Sequence, residues 1–147
     1  MSALTDFLNG RGVDGAGRRL AEVVGFDDRA IEDRHDFIQW LFPLQAESSA
    51  LPNAPVLTDA EVDLIRGDPA AQANLAAGTE RMLGFYRRTQ AWLQPFDHNH
   101  LRITRIIRSL RLLVGDQAAE GFHTQVLALA GDRPLINRRS LQFWSTA

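Results

Sequence analysis

From His35 to Leu44 the chain reads His-Asp-Phe-Ile-Gln-Trp-Leu-Phe-Pro-Leu, and no other stretch limits the fold as strongly. Five of the six residues from Phe37 to Phe42 are apolar, and Pro43 closes the run. A helix that is apolar nearly all round belongs in the middle of a protein. The spacing therefore predicts a central hydrophobic helix over about Ala30–Phe42. Asp27 or Asp28 is placed to cap it, and Glu32, Asp33 and Asp36 crowd its first turns, where carboxylates complement the helix dipole. Pro43 biases Phe42 away from helical geometry and ends the element. The few polar groups on this helix, His35, Asp36 and Gln39, must then find partners inside the protein.

Helical spacing recurs along the rest of the chain. A short helix is expected over Ala3–Leu8, then a glycine-rich flexible loop from Gly10 to Gly17 and a weak helix over Arg18–Val24. Gln45 to Leu57 carries two serines and two prolines without periodicity, so it reads as an irregular connection. Thr58 and Glu61 have the spacing of a capping box ahead of a helix through Ile65. Asp68-Pro69 is a cap followed by proline at the first helical position, opening a helix to about Leu93 that Gly78 and Gly84 weaken. Asn99 is expected to cap a helix over His100–Val114, with Ile103, Ile106, Ile107, Leu110 and Val114 as its apolar stripe. Asp116 caps the next helix, Gly131 ends it, and Asn137–Ala147 forms a last one. No strand alternation appears. The fold class is all-α: a single compact bundle of about six to seven helices, one domain over residues 1–147.

Composition narrows the chemistry. The 147 residues include no cysteine, which removes disulfides, thiolate metal sites and cysteine nucleophiles. No run approaches the roughly 20 apolar residues that span a bilayer, and Met1–Gly12 lacks the pattern of a secretory signal, so the expected compartment is the cytoplasm. All 16 basic residues are arginine. The charge is uneven: −7 up to Asp68 and +5 from Pro69 onward. Acidic and basic halves of this kind attract each other, and a net charge of −2 argues against nucleic acid as the partner.

Three constellations carry candidate chemistry. His35 and Gln39 stand one helical turn apart, with Trp40 beside them as an aromatic floor for a ligand side chain. Arg102, Arg105, Arg108 and Arg111 recur every third residue and fan across the half of their helix opposite the isoleucines. Such guanidiniums grip carboxylates or phosphates, or else pair with acidic residues such as Asp33, Asp36, Asp59 or Asp63. Asp97, His98 and His100 resemble a metal cluster, but their spacing before a helix start suits a turn better. No catalytic or phosphate-cradling motif is present, and no cofactor or metal is implied.

Four segments taken together resemble the conserved region of the opioid growth factor receptor family. They are His35–Leu44; Ala54-Pro55-Val56-Leu57-Thr58; Met82-Leu83-Gly84-Phe85-Tyr86; and the twelve residues from Asn99 to Leu110. The similarity covers about Phe7 to Trp144, and the chain looks like a short, stand-alone microbial form. The resemblance implies a receptor-like, non-enzymatic binding domain; animal members look like receptors for an enkephalin pentapeptide, associated with membranes around the nucleus. By that reading the partner is a peptide or protein, peripheral membrane contact would run through the aromatic end (Phe143, Trp144), and the ligand meets His35, Gln39, Trp40, Arg102, Arg105 and Arg108. The alternatives are a phosphate- or nucleic-acid-binding domain using the Arg102–Arg111 helix, and an enzyme using His35.

Overall fold

The computed structural model describes residues 2–132 and 134–147. Among the described residues there are nine helices: α1 (Ala3–Leu8), α2 (Leu20–Val24), α3 (Asp28–Asp33), α4 (Ile38–Leu41), α5 (Asp59–Arg66), α6 (Pro69–Arg88), α7 (Asn99–Leu113), α8 (Asp116–Ala130) and α9 (Arg138–Thr146). The β pairing among the described residues is an isolated parallel bridge, Leu44 to Val56. The protein is all-α, as its periodicity predicts. Its contacts form two compact units, Met1–Gly78 and Thr79–Ala147, and the division falls inside α6.

In the first unit α1 packs against α4 and α5. Phe7, Leu8, Phe37, Leu41, Phe42 and Ile65 are buried in its core, each worth roughly 2 kcal/mol of apolar transfer. Ser2 caps α1 through its hydroxyl and also donates to Glu61 Oε2, joining α1 to α5. Glu61 completes the predicted capping box with Thr58, accepting the Thr58 N–H at 2.9 Å. The irregular loop after Pro43 is closed at its ends by the Leu57 N–H donating to the Leu44 carbonyl at 2.9 Å.

The apolar run is not one helix over Ala30–Phe42. Asp27 caps α3 as expected, but Arg34 is extended and α4 restarts only at Ile38. Two carbonyls in the gap have other work. The Asp36 carbonyl accepts Arg18 Nη2 at 3.3 Å, and the His35 carbonyl takes the Gln39 side-chain amide at 3.1 Å. Bonds to side chains thus stand in for the missing turn of backbone ladder. The run keeps its central place: Phe37, Ile38, Leu41 and Phe42 are all buried.

Gly78 and Gly84 do not split α6, which is continuous from Pro69 to Arg88. At Gly78 the requirement is space: a Cβ there would lie 2.9 Å from Leu41 Cδ1. The helix ends before Leu93 because the Trp92 indole donates to the carbonyls of Tyr86 (3.1 Å) and Thr89 (3.0 Å), closing its last turn.

In the second unit α7 packs against α8 and α9. Ile103, Ile106, Ile107 and Leu110 are buried as the stripe predicts, and Leu113 takes the inward place expected of Val114, which is exposed. Gly115 (φ 150°) and Gly131 (φ 84°) bracket α8 in left-handed conformations open to glycine. Arg111 binds α7 to its neighbours, donating to Asp116 Oδ1 at 3.0 Å, Glu120 Oε1 at 2.6 Å and the Ala147 carbonyl at 2.8 Å. Hydrogen bonds to Glu120 and Asp116, helped by their charges, raise its pKa. Its carboxylate partners are therefore on α8, not the Asp33, Asp36, Asp59 or Asp63 expected from sequence.

Candidate recognition site

The six candidate ligand-binding residues fall into two sets, one in each unit. In the first unit His35 is exposed and non-helical, Gln39 is buried and Trp40 is half-buried. Gln39 spends its amide N–H on the His35 carbonyl, while its Oε1 is sealed from solvent without a partner among the described residues. Trp40 meets Phe7 edge-on at 5.7 Å, and its indole lies 3.5 Å from where a Cβ of Gly15 would stand. Trp40 is thus half of a packing contact with the 14–18 loop.

That loop is more ordered than its glycines suggest. Asp14 Oδ1 accepts the backbone N–H groups of Ala16 (2.9 Å) and Arg18 (3.0 Å), and Oδ2 accepts Arg18 Nε at 2.8 Å. Arg18 also pairs with Asp36 at 3.0 Å and lies over the Phe26 ring. Burial opposes the Arg18 charge, but its bonds to Asp14 and Asp36 outweigh that and its pKa is raised. The residue missed by sequence reasoning is Asp14. Its signal was an acidic residue four places before an arginine with two glycines between, the makings of an Asx turn.

In the second unit the polar residues at the start of α7 turn inward. Asp97 Oδ1 accepts both the backbone N–H and the side-chain Nδ2 of Asn99 at 2.9 Å, so Asp97 rather than Asn99 closes the helix start. Asn99 Oδ1 accepts the Tyr86 hydroxyl at 3.4 Å and Arg102 Nη1 at 3.3 Å. Arg102 is buried, not on the outward fan expected of it. His100 is buried with Nε2 2.7 Å from the Trp92 carbonyl, a bond that requires the proton on Nε2. Its own backbone carbonyl accepts the Trp144 indole at 3.0 Å. His100 is therefore committed to the core rather than to a metal cluster with Asp97 and His98, and Trp144 is too deep to touch a membrane surface.

What α7 leaves outside is narrow. Leu101, Arg105, Arg108 and Leu112 follow at i, i+4, i+7 and i+11, one stripe of the helix. Leu101 is 72% exposed, Arg108 is exposed, and Arg105 and Leu112 are half-covered. Burial lowers the pKa of Arg105, so its guanidinium is partly stripped of water. A leucine beside two guanidiniums on a rigid helix suits a carboxylate flanked by an apolar group.

The model of the opioid growth factor receptor conserved region matches residues 22–142. The chain belongs to the opioid growth factor receptor family. It is 33% identical over 126 residues to the human opioid growth factor receptor, covering 74% of this chain and 18% of that protein. The mouse receptor is 37% identical over 127 residues, covering 74% and 19%. The mouse opioid growth factor receptor-like protein 1 is 29% identical over 118 residues, covering 69% and 24%. The chain thus spans about a fifth of the length of the curated relatives it matches. No solved structure gives a significant match. No helix among the described residues is long and apolar enough to cross a membrane.

Proposed function

We propose that this chain is a non-enzymatic recognition domain of receptor type, and that its ligand is a peptide or protein segment carrying a carboxylate beside apolar side chains. Leu101, Arg105 and Arg108 receive it. The observation that carries this reading is the exposed Leu101 on the same stripe as Arg105 and Arg108, in a helix whose other polar residues are largely turned to internal bonds. The relatives' name, opioid growth factor receptor, supports an opioid growth factor peptide as ligand, and the family resemblance makes an enkephalin pentapeptide the first to try. The phosphate or nucleic-acid alternative is weakened because its arginines do not form one free row: Arg102 is buried on Asn99, and Arg111 meets two carboxylates. The test is calorimetric titration with an enkephalin pentapeptide and with its C-terminal amide. Removing the carboxylate should weaken binding about tenfold. An amide that binds as well as the free acid, or no binding of either, would overturn the carboxylate-reading stripe.

A further inference from the structure

The first unit holds a cavity of about 330 Å³ where the turn after α1 faces the α5–α6 turn. This size is at the lower end for small-molecule sites, which run roughly 300–1,000 Å³. Arg11 and Asn9 line one side; Leu64, Ile65, Asp68 and Pro69 line the other. Two opposite charges thus border one hollow without pairing to each other. The Arg11 backbone is fixed by bonds from its N–H to the Asp6 carbonyl (2.9 Å) and Asn9 Oδ1 (3.0 Å), and Arg19 Nη1 donates to its carbonyl at 3.4 Å. Its guanidinium has no partner among the described residues. Asp68 spends Oδ1 on the N–H groups of Ala70 (2.9 Å) and Ala71 (3.4 Å), which leaves Oδ2 for another donor. Leu64 is half-exposed, and with Ile65 and Pro69 it gives the hollow an apolar wall.

We propose that this cavity binds a small zwitterion of the apolar α-amino-acid class. Its carboxylate meets Arg11, its ammonium meets Asp68 Oδ2, and its side chain lies on Leu64, Ile65 and Pro69. Both protein charges sit on backbones already held by hydrogen bonds, so the ordering that opposes binding is mainly that of the Arg11 side chain. Asn9 and Arg11 precede residue 22, where the match to the family region begins, while Leu64, Ile65, Asp68 and Pro69 lie inside it. It is separate from the α7 stripe and does not depend on it.

The test follows backbone amide shifts in nuclear magnetic resonance during titration with L-leucine, N-acetyl-leucine and leucinamide. Leucine should shift the amides of Asn9, Arg11 and Gly67 saturably, and loss of either ligand charge should weaken binding about tenfold. Arg11→Gln should abolish the preference for leucine over leucinamide. Asp68→Asn keeps the Oδ1 cap and should abolish the preference for leucine over N-acetyl-leucine. Absence of a saturable shift with leucine, equal binding of all three compounds, or unchanged preferences in both variants would overturn the proposal.

Discussion

The Asp14 carboxylate accepts two backbone N–H groups and the Arg18 guanidinium with its side chain wholly sealed from solvent. Removing one member of a buried pair strands the other, which costs several kcal/mol. Asp14→Ala should therefore lower stability by about 3 kcal/mol, read from the urea unfolding midpoint, and Asp14→Asn by less, since an amide oxygen still accepts the loop N–H groups. A loop full of glycines is thereby held by one carboxylate, which composition alone does not reveal. The arginines of α7 make the same point in reverse. They repeat every third residue and look equivalent in sequence, yet Arg102 is buried on Asn99 while Arg108 faces solvent. Arg102→Ala should cost about 2 kcal/mol or more, and Arg108→Ala should stay within about 0.5 kcal/mol in the same measurement.

Helix boundaries with a local cause were legible, and those with a tertiary cause were not. The α1 span, the Thr58–Glu61 capping box, the Asp68-Pro69 start and the glycine stops around α8 follow from neighbouring residues. The break between α3 and α4 follows from Arg18, some 18 residues away, reaching the Asp36 carbonyl. The two glycines of α6 separate propensity from packing. Gly84→Ala meets the guanidinium end of the Arg88 side chain at 3.1 Å rather than a packed core group and should stabilise by up to about 1 kcal/mol. Gly78→Ala meets the buried Leu41 side chain at 2.9 Å and should destabilise by about 1 kcal/mol despite the better propensity, because overpacking outweighs it. Thermal unfolding of the two variants tests both. At the α1–α5 junction burial pushes the Glu61 carboxyl up, but bonds from Ser2 and Thr58 prevail and its pKa is lowered. The ionised form therefore favours the folded state above the ordinary glutamate range, and this contribution is lost as pH falls through the lowered value. Glu61→Gln should melt below the wild type at pH 7, with the gap closing in acid below about pH 4.

At the scale of the whole molecule, the all-α class and the family were both readable from the apolar run and from the Asn99–Leu110 segment. The candidate site was only half readable. Helical spacing reads Arg102, Arg105, Arg108 and Arg111 as one outward fan, and it could not show that Arg102, His100 and Asn99 turn inward to Tyr86, Trp92 and Trp144, because those partners come from other segments. The segments that carry the family resemblance thus supply core polar bonds as well as one outward stripe, the stripe that we propose as the recognition surface. The most direct measurement is the enkephalin pentapeptide titration repeated on Arg108→Ala, with thermal unfolding run on the same samples. The account predicts peptide affinity about tenfold weaker at an unchanged melting temperature. Wild-type affinity in Arg108→Ala, with the fold intact, would contradict it.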